Sequence, residues 1–203
     1  HNSNNQNDNF LVTTIAGQEV SGTTNGSGDS AKFNRPFSIG IGSTGYFYIA
    51  DNLNHLIRKI DPSGNVTTLA GQVGVGGSSN GQGTSASFNS PSGIAVDNPG
   101  NVYVADTTNH LIRKIDSLGN VTTLAGQSGE PGSDNGQGTS ASFNRPTGVA
   151  VDNSGNVYVA DFGNDLIRRI DTTGIVTTLA GQVGVSGSTN GQGSAASFRQ
   201  PLC

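Results

Sequence analysis

One segment with chemically active side chains occurs three times in this chain. It reads YIADNLNHLIRKID at 48–61, YVADTTNHLIRKID at 103–116 and YVADFGNDLIRRID at 158–171. Aspartate and asparagine oxygens can bind calcium, histidine can transfer protons or bind zinc, and arginine can bind a carboxylate. One copy of such a set is usually enough for catalysis. The triplication therefore predicts a structural unit first and a binding site second.

These segments supply the candidate site residues. A ligand-binding face is predicted from the polar residues around the repeated turn: Asp51, Asn54, His55, Asp106, Asn109, His110, Asp161 and Asn164. The alternative for the aspartates is a structural one, in which they accept hydrogen bonds from backbone amides of the strand turn. The histidines are predicted to be structural donors. Arg58, Arg113 and Arg168 are predicted to pair with an aspartate between neighbouring units rather than to bind a ligand.

No catalytic residue, metal site or cofactor can be assigned from these residue types. Calcium stays a minor alternative, because the aspartates and asparagines lack the dense ligand spacing of an EF-hand loop. The glycine-rich segments are not phosphate loops, since no Lys-Ser/Thr ending and no helix follows them.

The composition narrows the class of protein. Of 203 residues, 32% are hydrophobic, 12% are charged and 31 are glycine, which is typical of many short strands joined by turns. The net charge of −4 argues against a nucleic-acid partner, which needs clustered Lys and Arg. No apolar run is long enough to span a bilayer. With no methionine, even at position 1, the sequence is interpreted as starting inside a processed or trimmed chain.

A repeat of 55 residues organises the chain. Phe-x-x-Pro recurs at Phe33, Phe88, Phe143 and Phe198, and TTLAGQ recurs at 67–72, 122–127 and 177–182. In the second repeat, strand patterns occupy 92–97, 101–106, 110–116 and 120–126. Four short antiparallel strands at this period predict an all-β propeller built from four-stranded blades.

The predicted domain organisation follows from this period. Residues 1–10 are expected to be disordered or extended, and 11–203 to be a propeller segment. Within it we expect an orphan outer strand at 11–17, blades at about 33–71, 88–126 and 143–181, and the start of a further blade at 198–203. In the second blade, burial is predicted for Ile94, Val96, Val102, Val104, Ile112, Ile115 and Leu124. Phe88 and Phe143 should be buried between blades.

The pattern P-x-G-x-A-V-D, G-N-V-Y-V-A-D and N-H-x-I-R-K-I-D resembles the NHL-repeat family, named for the Asn-His-Leu at 54–56 and 109–111. The third copy departs from it, with Asn164-Asp165-Leu166. The resemblance implies a β-propeller and covers about Phe10 to Pro201. It also implies several possible roles: extracellular sensor, protein-interaction platform, RNA-binding platform or peptidyl-hydroxyglycine lyase.

The functional prediction is a non-enzymatic extracellular or cell-surface module for binding or assembly. Its partner would be a protein or a glycan, reached through the face with the long glycine-rich loops or through the exposed blade edges. The alternative is a channel-site enzyme resembling the lyase. Three N-glycosylation triplets, at Asn25, Asn65 and Asn120, favour the extracellular setting.

The blade count predicts association. Propellers close with four to eight blades, so three should leave two blade faces uncovered. The chain is therefore expected to continue into further blades, to form an open assembly, or to close a ring as a dimer. The single cysteine, Cys203, allows no disulfide within one chain.

Overall fold

The computed structural model describes residues 11–202, which form 14 strands and six three-residue 3₁₀ turns. The strands are β1 (Pro36–Ile41), β2 (Phe47–Asp51), β3 (Leu56–Ile60), β4 (Val66–Ala70), β5 (Gly81–Gln82), β6 (Pro91–Val96), β7 (Val102–Asp106), β8 (Leu111–Ile115), β9 (Asn120–Ala125), β10 (Gly136–Gln137), β11 (Pro146–Val151), β12 (Val157–Asp161), β13 (Leu166–Ile170) and β14 (Ile175–Ala180). No helix within 11–202 is long and apolar enough to cross a membrane.

The strands form three antiparallel sheets, one for each repeat. The first has the order β1-β2-β3-β4, and the equivalent four strands of the second and third repeats follow the same order. The inner strand β6 packs between β1 and β11, so the three sheets stand side by side as consecutive blades. The predicted all-β, blade-built fold is confirmed.

The register within each blade is the same because the same turns set it. In the second blade Asp106 lies opposite Leu111 and Val104 opposite Arg113. The turn between β6 and β7 contains Gly100 with φ of 91°, a left-handed conformation that glycine adopts at no steric cost. These turns hold neighbouring strands in a register that keeps the apolar side chains in the space between blades.

The hydrophobic core lies between blades rather than inside one sheet. Phe88 and Phe143 are fully buried there, as predicted. Five of the seven residues predicted to be buried in the second blade are buried. Val96 and Leu124 are only partly buried, because they pack at the margin of the two core clusters.

The glycine-rich segments contribute a fifth strand that the sequence pattern did not predict. We call these segments links: N-terminal 17–33, first 71–88, second 126–143 and C-terminal 181–198. The first link adds β5 to the outer edge of the second blade, and the second link adds β10 to the third blade. In the first blade a single bridge between Gly26 and Val66 takes that place. These three links therefore pair with the outer strand of the blade that follows them.

The ends of the chain differ from the predicted organisation. Residues 11–17 were predicted to form an orphan strand, but they form no strand, because a lone strand has no partner for its backbone groups. Residues 198–202 are likewise irregular. The predictions for residues 1–10 and for Cys203 lie outside the described residues.

Candidate interaction surfaces

The repeated aspartate, asparagine and arginine form one buried network in each blade. In the second blade Arg113 Nη1 lies 2.9 Å from Asp106 Oδ2, and both side chains are fully buried. Asn109 Nδ2 donates to the same oxygen, at 2.8 Å, and the Asn89 backbone N–H donates to Asp106 Oδ1, at 2.7 Å. The backbone amide that Asp106 binds therefore lies at the entry of the blade. The structural alternative had predicted an amide of the strand turn instead.

Each arginine also fastens the preceding link to its blade. Arg113 Nη2 donates to Ser79 O, at 3.0 Å, and to Asn80 Oδ1, at 2.9 Å, and Nη1 donates to Ser87 O. Its guanidinium lies 5.3 Å from the centre of the Phe88 ring. The predicted pairing between blades is wrong: the ion pair lies inside one blade, because strands two and three of a blade bring both side chains to one point.

The other two blades repeat this geometry. The pairs Arg58–Asp51 and Arg168–Asp161 are 2.8 and 2.9 Å long and fully buried. Their arginines reach Asn25 Oδ1 and Asn135 Oδ1 in the links before them. Sequence reasoning missed the structural role of these link asparagines, although Asn25, Asn80, Asn135 and Asn190 recur every 55 residues. That recurrence was the signal that could have found them.

Burial dominates the electrostatics of this network. Loss of hydration raises the pKa of Asp106 to about 6, although the Asn89 amide, Asn109 and Arg113 act in the opposite direction. Burial raises the pKa of Asp161 for the same reason. Each arginine also has a buried Nε without a hydrogen-bond partner. Since both charges lose their hydration, the ion pair is weak evidence for added stability, but breaking it would leave a buried charge uncompensated. The network therefore has a structural role: it holds each link against the blade that follows it.

The histidine turns connect one blade to the next. His55 and His110 adopt left-handed backbone conformations, with φ of 59° and 61°. Each accepts a hydrogen bond of 3.0 Å at Nδ1, from the backbone N–H of Ser90 and Arg145 respectively. The predicted role as donors is wrong, because these bonds need an unprotonated nitrogen. Burial, together with Arg145, lowers the pKa of His110 accordingly.

Asp165 explains why the third repeat departs from Asn-His-Leu. It has φ of 58°, and its Oδ1 accepts a hydrogen bond of 2.6 Å from the Gln200 backbone N–H. A carboxylate supplies the same acceptor as a neutral imidazole. The departure therefore preserves the contact.

All eight residues of the predicted ligand-binding face make hydrogen bonds within the chain. The two members not yet described are Asn54, which donates to Gly22 O and Asp51 Oδ2, and Asn164, which donates to Gly132 O and Asp161 Oδ2. Their role as a binding face stays a prediction, and the contacts favour a structural role. Within residues 11–202 no group of three or more His, Cys, Asp or Glu residues is placed to hold a metal ion.

Of the three predicted glycosylation asparagines, Asn25 lies on the N-terminal link, Asn65 on the turn between β3 and β4, and Asn120 at the start of β9. Asn25 and Asn65 are exposed and Asn120 is partly buried. Asn65 and Asn120 each donate Nδ2, the atom that would carry a glycan, to the aspartate four residues before, at 2.9 Å. Glycosylation stays a prediction.

The two ends of the blade row present apolar surface. We call the side of a blade that meets the preceding blade its leading face and the opposite side its trailing face. On the leading face of the first blade Ile39 is 56% exposed, whereas the equivalent Ile94 is 6% exposed. A cavity of about 300 Å³ beside Phe33 and Phe47 lies between this face and residues 13–16. Ala16 packs on the buried Ile49, Ile60 and Val66, so the chain itself covers part of the face.

The trailing face of the third blade is not covered by another blade either. Leu179 is 48% exposed, whereas Leu69 and Leu124 at the same position are partly buried against the next blade. Large exposed apolar patches mark interaction sites in soluble proteins. These two end faces, rather than the polar turns, are the candidate interaction surfaces.

Family models match part of the chain. The teneurin NHL domain model matches residues 127–196, and the NHL repeat model matches residues 88–115. The chain is 32% identical over 172 residues to Protein SUPPRESSOR OF QUENCHING 1, chloroplastic, of Arabidopsis thaliana, covering 79% of this chain and 16% of that protein. It is 36% identical to human NHL repeat-containing protein 2 over 98 residues, 47% of this chain and 14% of the relative.

The chain also matches teneurin-3 of Danio rerio, with 31% identity over 176 residues, 77% of this chain and 6% of the relative. It thus spans less than a fifth of each of these three proteins. Among solved structures, a Bacteroides thetaiotaomicron protein of unknown function has a TM-score of 0.65 and 26% identity. The match covers 81% of this chain and 40% of that one. The virginiamycin B lyase of Staphylococcus aureus, at 19% identity and a TM-score of 0.53, shares the fold over 75% of this chain and 43% of its own.

Proposed function

Since the chain belongs to the NHL-repeat β-propeller family, we propose that it is a non-enzymatic protein-interaction module that associates head-to-tail with a second copy of itself. The observation that carries this proposal is the contrast between covered and uncovered blade faces. Ile39 and Ile94 hold the same position in consecutive blades, but only Ile94 is covered by a neighbouring blade.

The chemistry of the end faces favours another blade as the partner. Inside the chain, the leading face of the second blade packs against Tyr48, Ala50 and Ile57 on the trailing face of the first. The trailing face of the third blade carries the equivalent Tyr158, Ala160 and Ile167, beside a cavity of about 160 Å³. A second copy thus offers the complement of each end face.

The geometry of such a contact is heterologous, because two different surfaces meet. Heterologous contacts close into a ring when the rotation allows it and otherwise extend into a filament. Burial of apolar side chains in this contact would favour association by a free energy of about 25 cal/mol for each Å² of apolar area removed from water.

Sedimentation of the full chain tests the proposal. The wild type should associate reversibly with concentration, and Ile39→Asp or Leu179→Asp should abolish association, because each places a charge in an apolar contact. Leu118→Asp is the matched control, since Leu118 is 73% exposed on a turn within the second blade. A chain that remains monomeric at every concentration would contradict the proposal.

The predictions of a cellular location and of a glycan partner have less support than the protein interaction. An extracellular or cell-surface location and a glycan partner stay predictions, and one relative is named as chloroplastic. The lyase alternative would gain support from turnover of a peptidyl-hydroxyglycine substrate by the purified chain.

A further inference from the structure

In each link that precedes a blade, an asparagine is followed directly by a glycine. The pairs are Asn25-Gly26, Asn80-Gly81 and Asn135-Gly136, and all three asparagines are exposed. Glycine has no side chain to shield its backbone nitrogen, so this nitrogen can attack the side-chain amide of the asparagine before it. The reaction that such a pair undergoes is spontaneous deamidation.

Deamidation needs no reactant other than water. The backbone nitrogen of the glycine loses its proton and bonds to Cγ of the asparagine, while Nδ2 leaves with that proton as ammonia. Water then opens the resulting succinimide ring at one of its two carbonyl carbons. Opening at one carbon gives an aspartate, and opening at the other gives an isoaspartate, whose main chain is one carbon atom longer.

The side-chain oxygen of each asparagine receives two donors that favour the attack. In the first blade Arg58 Nη2 donates to Asn25 Oδ1, at 2.7 Å, and Thr68 Oγ1 donates to the same atom, at 3.4 Å. The equivalent donors of the second and third blades lie at 2.9 and 3.4 Å. Donors aimed at a carbonyl oxygen stabilise the negative charge that develops there when the carbon is attacked. Since all three blades share these contacts, they do not distinguish the three asparagines.

The backbone pairing around the glycine does distinguish them. In the second blade Gly81 lies in β5, which pairs with β9 over two residues. Gln82 Nε2 donates to Leu118 O, at 3.1 Å, and Gly83 N–H donates to Gly119 O, at 2.9 Å. The third blade has the equivalent strand pair and the equivalent two bonds. In both blades the glycine nitrogen is therefore held inside a paired segment.

The first blade has fewer of these bonds. Gly26 joins Val66 by a single bridge, with hydrogen bonds of 3.0 and 2.7 Å. Ser27 stands in the place of the glutamine, and it makes its side-chain hydrogen bonds within its own link. Within residues 11–202, Gly28 lacks the backbone bond across to the strand turn that Gly83 makes. Segments held by fewer hydrogen bonds open locally at a lower free-energy cost.

We infer that Asn25 is a site of spontaneous deamidation in the folded chain, whereas the blades protect Asn80 and Asn135. The nitrogen of Gly26 must leave its bridge to Val66 before it can attack. Two hydrogen bonds fewer make that opening easier, so Asn25 should react about tenfold faster than the other two asparagines. Deamidation thus selects one of three chemically equivalent pairs by tertiary structure alone.

The product would release the N-terminal link from its blade. An isoaspartate at position 25 adds a main-chain carbon directly before Gly26, so the bridge to Val66 no longer matches in length. Arg58 would then lose the amide oxygen that it holds at present. The reaction would therefore loosen the first blade and leave the second and third intact.

Peptide mapping by mass spectrometry tests the inference. The full chain, produced without glycosylation so that Nδ2 is free to leave, is kept folded at mildly alkaline pH and sampled over time. The mass gain of deamidation should appear at position 25 about tenfold faster than at positions 80 and 135. In urea, where the pairing is lost, the three rates should lie close together. Equal rates at the three positions in the folded chain would overturn the inference.

Exchange of the residue after the glycine tests the cause. Ser27→Gln gives the N-terminal link the glutamine of the first link, so it should slow deamidation of Asn25 in the folded chain by about fivefold. Gln82→Ser should speed deamidation of Asn80 by a similar factor. Neither variant should change the rates in urea. If both leave the folded rates unchanged, or if Asn25 reacts only in urea, the inference is wrong.

Discussion

The first link and the C-terminal link have closely similar sequences but different surroundings. Phe88 at the end of the first link is fully buried, whereas Phe198 at the end of the C-terminal link is only partly buried. The internal hydrogen bonds of both links are nearly the same. A link therefore takes its fold from its own sequence, and its core contacts from the blade that follows.

The largest effect should come from breaking one of the buried Asp–Asn–Arg networks. Arg113→Ala leaves Asp106 buried without its charge partner and also removes the side chain that holds the first link. We expect a loss of about 5 kcal/mol in the free energy of unfolding, at the upper end for a broken buried pair. Urea denaturation followed by circular dichroism measures it. A loss below about 1 kcal/mol would mean that water or another cation replaces the guanidinium.

Phenylalanine substitutions sharpen the comparison between covered and uncovered links. Phe143→Ala should cost about 3–5 kcal/mol, because it empties a fully buried site between two blades. Phe198→Ala at the equivalent position should cost clearly less in the monomer, because Phe198 is partly exposed. Equal losses in urea denaturation of dilute samples would show that the C-terminal link is covered after all.

A pH experiment compares the histidine turn with its aspartate counterpart. Because burial lowers the pKa of His110 below 6.5 in the folded chain, the unfolded chain binds this proton at higher pH. The contribution of the Nδ1 bond is therefore complete above pH 6.5 and is lost as the pH falls through the lowered pKa, by about 1 kcal/mol in all.

His110→Asp should remove this pH dependence, since Asp165 accepts the equivalent bond as a carboxylate. The measurement is the difference in unfolding free energy between wild type and variant at pH 7 and pH 5. Asp106, whose pKa is raised to about 6, titrates in the same window but is present in both proteins. If the difference in unfolding free energy between wild type and variant is the same at pH 7 and pH 5, the Nδ1 hydrogen bond of His110 does not contribute to stability.

The smallest effect is expected at Phe37, which lines a cavity of about 120 Å³ together with Gly93, Thr147 and Leu202. Phe37 is 52% exposed, whereas Ser92 and Thr147 at the same position of the next blades are buried. Phe37→Ser should change the unfolding free energy of the dilute monomer by less than about 0.5 kcal/mol. A larger loss would mean that the Phe37 ring packs closely against Thr147 and Leu202 in solution.

The blade pattern was readable from the sequence because it rests on local rules. Alternating apolar residues, Gly-containing turns and the spacing of Phe88 and Phe143 predicted the strands and the interblade core. Prediction failed where a residue depends on a distant partner. Arg113 was assigned to an adjacent blade, and its real partners Asp106 and Asn80 lie 7 and 33 residues away, on different elements.

The sequence by itself determined the repeat, the strand order and the burial of the aromatic anchors, because side-chain periodicity and turn chemistry act over a few residues. Only the tertiary structure decided which chemically active residues remain accessible. It placed the aspartates and arginines in closed networks, turned the histidines into acceptors, and left residues 11–17 without a strand partner. Those outcomes depend on which blade stands beside which, and in a repeat of identical units the neighbours, rather than the residues, distinguish a core from a surface.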